Sequence, residues 1–585
     1  MSAARVRVSR TGKTFPSIGV IVLGCVMGLA IALGSNFAAV GDGLKDIGYS
    51  KVLEPGTWIV WAFSALFCTL AIWGLYTALD VWRASRQNSL GSPDNVKCAT
   101  RVSPKKWLLA AATIFLLWLP VWLIFFPGLF VYDTLYQFSQ ILGGLGLNTL
   151  HPPLHTLFVS LTVGFGYGIT GSAVVGGAFY AATQMVLCAA AYGWLCAEIE
   201  RVTTRKWPFV AAILWFGICP LNSILAISCT KDVLFSASFS VFVAWLGRFA
   251  SGLSLGERQG FRECVPLFSF GLLASLLRNN MAIALLAFIV VLAVVHFVTA
   301  RKSSGSHTYG MPINAILSLV AVMVAYFVIS GPVFRVLGIQ NVTGIRETLS
   351  VPAQQLARVA VLGGELSEQD KEFISAVYPD YVEYLPGIAD PVKGTFNLDY
   401  FNNNKAYFFS EYIGIGLKNP LAYLDAWLDM SHRGWFPEAI GGTQDAWGWH
   451  PYLDMHVDGQ DMFERYGVGW LYIPDSSVLP DTRKWLTDFI ASKPWERVPV
   501  LRDLMSTGSA IWWFVVGAGY LLHSRRGCMA VVLAMAILYW GTLLLGPCIL
   551  ARYVYPLFVL LPWLFAVVAF FGEKVAATKP NAAGE

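Results

Sequence analysis

Apolar residues in this chain run in long unbroken stretches rather than in the one-faced or alternating patterns of soluble elements. A helix needs about 20 apolar residues to span a hydrocarbon core of about 30 Å. Stretches of that kind run Ile18 to Val40, Trp58 to Leu79, Trp107 to Phe126, Val174 to Cys196, Trp207 to Ile227 and Val233 to Phe249. The second half adds Val265 to Leu277, Met281 to Val298, Ile313 to Ile329, Ala510 to Leu522, Met529 to Leu545 and Val554 to Phe571. In lipid every backbone N–H and C=O has to be satisfied within the protein, so the pattern predicts an all-α polytopic membrane protein with about twelve transmembrane helices.

One apolar stretch, His155 to Ile169, is left out of that count. As a full crossing it would put Arg201, Arg205 and Lys206 on the same side as the uncharged loop before it, against the tendency of short basic loops to stay cytoplasmic. Laid along the outer membrane surface, it restores agreement for every later loop. The cytoplasmic loops then hold Arg83, Arg86, Lys97, Arg101, Lys105 and Lys106; Arg201, Arg205 and Lys206; Arg258 and Arg262; Arg301 and Lys302; Arg525 and Arg526. Both termini are cytoplasmic in this reading. The N-terminal run follows Arg5, Arg7, Arg10 and Lys13 and is too long for an ordinary signal-peptide core, so it reads as a retained anchor.

Four regions follow. Residues 1–106 form an N-terminal two-helix membrane segment with a basic cytoplasmic loop, and 107–330 a membrane core whose first large outer loop is 127–172. Residues 331–508 change to a polar, aromatic-rich mixture, expected to be a small extracytoplasmic domain packed on the spans. Residues 509–585 supply the last membrane helices and a cytoplasmic tail.

Composition sharpens this picture. Of 585 residues 56% are hydrophobic and only 13% charged, where a soluble domain has about a quarter of its residues charged. The net charge of +5 sits in short loops, which fits orientation and excludes a nucleic-acid partner. No cysteine falls between Gly331 and Gly508, so no disulfide framework or paired-cysteine metal site is argued.

With this topology the unusual polar groups gather on the outer face. The first loop has Tyr132, Asp133, Thr134, Tyr136 and Gln137, then His151, Pro152 and Pro153. If Asp133 begins a helical turn, Tyr136 and Gln137 share its face. The next outer turns carry Lys231 and Asp232, then Arg278, Asn279 and Asn280, and finally Arg552 and Tyr553. A cation at a span's end often only snorkels to water. Asp133 is the acid in its loop with no basic residue nearby, so a local pair does not explain it. The run with His450, Asp454, His456 and Asp458 has metal-ligating residue types, but its spacing matches no strong motif and it reads as a solvated loop. Trp427, Trp435, Trp447, Trp449, Trp470, Trp485 and Trp495 suit either sugar stacking or a small core.

These motifs resemble the GT-C superfamily, polytopic transferases that take sugars from polyprenyl-phosphate carriers. The resemblance lies in Asp133 early in the first large outer loop, His151-Pro152-Pro153-Leu154 leading into a surface helix, and the charged second loop with Lys231 and Asp232. The chain from about the third span to the last also resembles an uncharacterised GT-C-like family of bacterial membrane proteins. That likeness rests on Thr230 to Phe235, Leu277 to Asn280, Val351 to Arg358, Lys418-Asn419-Pro420 and Arg552-Tyr553. It implies a GT-C-like helical bundle in the plasma membrane, and transfer of a sugar from a polyprenyl-phosphate donor to a glycan, lipid or protein acceptor outside.

Under that implication Asp133 is the general base for the acceptor hydroxyl. Lys231, Arg278 and Arg552 stabilise the leaving phosphate, arginine being the better bidentate partner. Tyr132, Gln137, His151, Asp232, Asn279 and Tyr553 complete the substrate-binding set. Asp133 stands alone where many GT-C enzymes have paired acids, so the cofactor stays open, a divalent cation included. The main alternative is a transporter or flippase for a lipid-linked sugar. Transporters tend to carry ionisable groups near the bilayer midplane and internal repeats, whereas this chain has its charges at one face. A membrane acyltransferase or polymerase using His151 is a third reading.

Overall fold

The computed structural model describes residues 15–40, 50–89, 101–130, 132–254, 260–301, 311–342, 345–438, 459–492 and 494–571. Among them the architecture is helical, with one two-stranded pair. Eight helices are long and apolar enough to cross a membrane: Ile18–Ala39, Pro55–Arg86, Pro104–Ile124, Ala173–Thr203, Lys231–Gly252, Asn279–Val298, Ile313–Val336 and Ala551–Phe570. The chain is thus an all-α, multi-pass membrane protein.

A ninth crossing is reached if Lys206–Ile218 and Pro220–Ala226 count as one span, bent by 57°. The sequence pattern predicts an unbroken span there, and the break has a local cause. Pro220 lacks an N–H and its ring drives the preceding residue out of the α region, and Cys219 sits at φ −58°, ψ 120°. The other three expected spans are helices of 17 residues each, Phe261–Leu277, Thr507–His523 and Gly527–Leu543. At about 1.5 Å per residue they reach about 25 Å, short of a hydrocarbon core of about 30 Å. By length and apolarity eight helices, or nine with the bent pair, qualify as crossings among the described residues.

The Lys231–Gly252 and Ala551–Phe570 spans are the most enclosed of the eight, and their buried residues belong to one large core with Trp118, Tyr192, Phe216 and Tyr539. Within 331–508 a second core forms around Leu356, Phe373, Tyr378, Phe401, Phe408 and Ile415. Beside it Arg358, fully buried, donates to the Tyr384 hydroxyl at 3.0 Å and faces Asp429 at 3.4 Å and Asp425 at 3.7 Å. Other described parts of this segment pack elsewhere. Trp435 and Phe436 join Ala30 and Phe37 of the first span. Phe463, Val468, Leu471 and Ile473 pack on Phe130, Leu135, Phe138 and Tyr180. Trp470 and Trp485 are exposed, whereas Trp447 and Trp449, with His450, Asp454, His456 and Asp458, lie outside the described residues.

The strand pair matters out of proportion to its length. β1 (Leu129–Phe130) runs parallel to β2 (Ser228–Cys229), with Leu129 opposite Ser228 and Phe130 opposite Cys229. Each strand leads almost directly into a helix, Tyr132–Ile141 and Lys231–Ser254. Two helix N-termini from distant parts of the chain are thereby aligned, each with an aspartate at its second residue: Asp133 and Asp232. Thr134 donates to the Cys229 carbonyl at 3.0 Å and pins the two together.

Candidate functional site

Asp232 anchors the site. It is 1% exposed and pairs with Arg278, which ends the Phe261–Leu277 helix, and with Arg552 Nε at 3.5 Å. Arg552 opens the Ala551–Phe570 helix and carries its Nη2 to the Asp133 carboxylate at 3.3 Å. A buried carboxylate thus fixes two guanidiniums, and one of those reaches a second carboxylate that is 26% exposed. Burying a charge is costly unless it is paired, and this chain of pairs meets that condition for Asp232.

Neighbouring groups complete the frame. Lys231 Nζ lies 3.1 Å from His151 Nδ1, a contact in which the imidazole accepts and is therefore neutral at that nitrogen. The Tyr136 and His151 rings meet edge to face at 5.7 Å between centroids. Arg278 lies over the Tyr553 ring at 4.4 Å, donates from Nε to Asn280 Oδ1 at 3.0 Å, and Asn280 in turn donates to Thr542 at 2.7 Å. The helices Tyr132–Ile141, Lys231–Ser254, Asn279–Arg301 and Ala551–Phe570 all begin at this cluster. Helix N-termini carry partial positive charge and free N–H groups. Three side-chain cations face two carboxylates there, which favours an anion such as phosphate.

Behind the Tyr132–Ile141 helix runs a directional chain of hydrogen bonds. Gln184 Nε2 donates to the Ala226 and Ser228 carbonyls at 3.0 and 2.8 Å. Its Oε1 accepts from Tyr180 at 2.6 Å, so the Tyr180 oxygen faces His155 Nε2 at 3.4 Å as the acceptor. His155 Nδ1 is then left to accept from Gln137 Nε2 at 3.0 Å. The chain holds His155 as one neutral tautomer and fixes the loop that presents Lys231 and Asp232.

The charges follow this geometry. Burial pushes the Asp133 carboxyl up, but Arg552, with His151, Lys231 and His155 adding, more than offsets it and holds the group well below the ordinary carboxylate range. Burial and the nearby Lys231 bring His151 down to about 3, and burial, Lys231 and His151 do the same for His155. Asp133 is therefore ionised and both imidazoles neutral at physiological pH.

Of the residues singled out in the sequence, Asp133, His151, Lys231, Asp232, Arg278, Arg552 and Tyr553 come together. Gln137 is buried against His155 and Thr156 and positions the helix rather than facing an opening. Asn279 is exposed and Asn280 makes the contacts. The Tyr132 side chain lies outside the described residues. Sequence reasoning missed His155, Tyr180, Gln184 and Thr542, which sit in or beside apolar runs with no motif to mark them. No cluster of three or more metal-ligating His, Cys, Asp or Glu side chains occurs among the described residues.

Fold and site together define the class: a helical multi-pass membrane protein with a buried ionic cluster where four helices begin. Residues 145–583 match a family of unknown function (DUF6020), and the protein belongs to that family. The matched stretch contains His151, Lys231, Asp232, Arg278, Asn279, Arg552 and Tyr553, while Tyr132, Asp133 and Gln137 precede it. No curated protein and no solved structure matches the chain.

Proposed function

We propose that this protein is an integral membrane glycosyltransferase of GT-C type, which transfers a sugar from a polyprenyl-phosphate donor to an acceptor outside the cell. The observation that carries the reading is the ion-pair chain Asp133, Arg552, Asp232, Arg278. It sets two guanidiniums and Lys231 at the starts of membrane helices, where the phosphate of a lipid-anchored donor lies, and a partly exposed carboxylate beside them. In this reading the acceptor hydroxyl loses its proton to Asp133 and attacks the anomeric carbon. The bond to the phosphate oxygen breaks, and the charge growing there is taken up by Arg278, Arg552 and Lys231. While Arg552 pairs with Asp133 the carboxylate is a weak base; a donor phosphate that draws Arg552 away raises its basicity, so binding and activation are coupled.

The reading also takes the three 17-residue helices as crossings, giving twelve spans with the bent pair, since about 17 residues is the lower limit for a span. It lays Pro153–Thr170 on the outer surface, where its exposed Leu157, Leu161, Phe165 and Ile169 meet lipid. Both termini are then in the cytoplasm of a bacterial cell and the site faces outward across the plasma membrane. A radiolabelled polyprenyl-phosphate sugar assay in proteoliposomes tests the proposal. Transfer to an acceptor supports it; movement of the lipid across the bilayer without transfer makes the protein a flippase instead.

A further inference from the structure

At the far end of the Ala551–Phe570 helix, 18 residues and about 27 Å from Arg552, the structure carries a second constellation. An apolar cavity of ≈ 280 Å³ lies between this helix and Lys206–Ile218, lined by Trp207, Ala211, Trp215, Phe565, Ala569 and Phe570 among others. Trp207 and Phe565 are exposed, so the cavity reaches the surface that faces lipid. Phe570 forms its rim, and two arginines lie over that ring: Arg86 at 5.8 Å and Arg205 at 6.0 Å. Arg86 also stacks on Trp82 at 4.6 Å and has a buried Nη1 without a hydrogen-bond partner among the described residues.

Two further arginines close the helix end behind them. Arg83 donates to the Ala569 carbonyl at 2.6 Å and to Phe571 at 3.1 Å. Arg526, 8% exposed, donates to Val568 and Phe571 at 2.9 and 3.0 Å, and its Nη2 is buried without a partner among the described residues. Capping the helix carbonyls accounts for Arg83 and for part of Arg526. It does not account for Arg86 and Arg205, which meet an aromatic ring at the mouth of a hydrocarbon-lined groove.

We infer that this end of the bundle binds an anionic glycerophospholipid, with an acyl chain in the cavity and the phosphate held by Arg86 and Arg205. The cavity is small for a drug-sized ligand and has the apolar lining that a stretch of hydrocarbon chain needs. Arginines at a span's end are the residues that attract acidic headgroups. The site is separate from the Asp133 cluster and does not depend on the glycosyltransferase reading.

The test uses the full chain purified in detergent and reconstituted in nanodiscs of phosphatidylcholine, with or without about one-fifth phosphatidylglycerol. Native mass spectrometry and thermal unfolding read the outcome. Phosphatidylglycerol should be retained at least about tenfold over phosphatidylcholine and raise Tm, and Arg86→Gln with Arg205→Gln should abolish both effects. Ala211→Trp, which fills the groove and leaves the arginines in place, should lower retention as well. Equal retention of the two lipids by the wild type, or retention unchanged in both variants, overturns the inference.

Discussion

Arg552 and Asp133 lie 419 positions apart in sequence and 3.3 Å apart in space. The carboxylate that stands alone in its loop therefore has a cationic partner after all, brought in by the last membrane helix. Two roles follow for Asp133: an acid that anchors Arg552, or a base that Arg552 restrains until a donor arrives.

Asp133→Asn separates them. Asn keeps the shape of the side chain and caps a helix about as well as Asp, but has no basic oxygen. At matched membrane expression, transfer in proteoliposomes should fall by roughly 10²-fold or more while the variant remains folded. If Asp133 only anchors Arg552, then Asp133→Asn, Arg552→Gln and the double variant should all lose the same modest amount.

The residues of this pair were legible before the fold was known; the pair was not. Asp133, Lys231, Arg278 and Arg552 each break an apolar pattern at the end of a run, and charge asymmetry alone assigns them to one face. Which cation meets which acid depends on helix packing and on the register of β1 against β2, and neither is local. Tyr180 and Gln184 lie inside a long apolar helix, where a buried hydrogen-bonded polar residue has no sequence signature. The break at Cys219 was readable from Pro220, yet hydropathy outweighed it in a pattern dominated by apolar length. Asn280 rather than Asn279 meets Arg278 because one residue of helix turns the side chain by about 100°.

Acid should destabilise the protein through its neutral imidazoles. His151, His155 and His432 are each brought down from 6.5 to about 3, mainly by burial. A histidine depressed in the fold leaves the unfolded chain binding more protons below 6.5, so its contribution is full above that value and lost as pH falls toward 3. The ceiling is about 1.4 kcal/mol per pH unit for each group. Asp133, depressed from 3.8, adds to the loss only below about that pH. Thermal unfolding in detergent should show Tm constant from pH 8 to 7 and falling from pH 6 to 4.5, with a shallower fall in His155→Gln. An equally steep fall in that variant removes His155 from the account.

Orientation is tested by single cysteines at exposed sites. Leu145 is 54% and Leu398 47% exposed, both on the side assigned to the exterior, while exposed Lys206 lies at the basic end. In intact cells an impermeant maleimide should label Leu145→Cys and Leu398→Cys but not Lys206→Cys, which should react only after permeabilisation. Labelling of Lys206→Cys in intact cells inverts the topology and with it the placement of the site.

Arg278 and Arg552 should be sensitive even to conservative change. Asp232 is buried and holds both guanidiniums by one carboxylate, which fixes where they sit in the cluster. The Arg278 guanidinium lies 4.4 Å over the Tyr553 ring. A lysine keeps the charge and loses both the fork that grips two phosphate oxygens and the flat face that stacks. Arg278→Lys and Arg552→Lys should therefore raise the KM for a polyprenyl-phosphate donor by about tenfold or more, with little change in the KM for the acceptor. Arg552→Lys should lower kcat as well, because a single ammonium takes up the charge growing on the leaving phosphate less well than a two-pronged guanidinium. Asp232→Asn is the control, since it removes the carboxylate that holds both guanidiniums in place and should raise the donor KM without the substituted residue touching the sugar. Wild-type donor KM and turnover in both lysine variants would show that the arginines only hold the helix ends together, and the phosphate-binding role would be withdrawn.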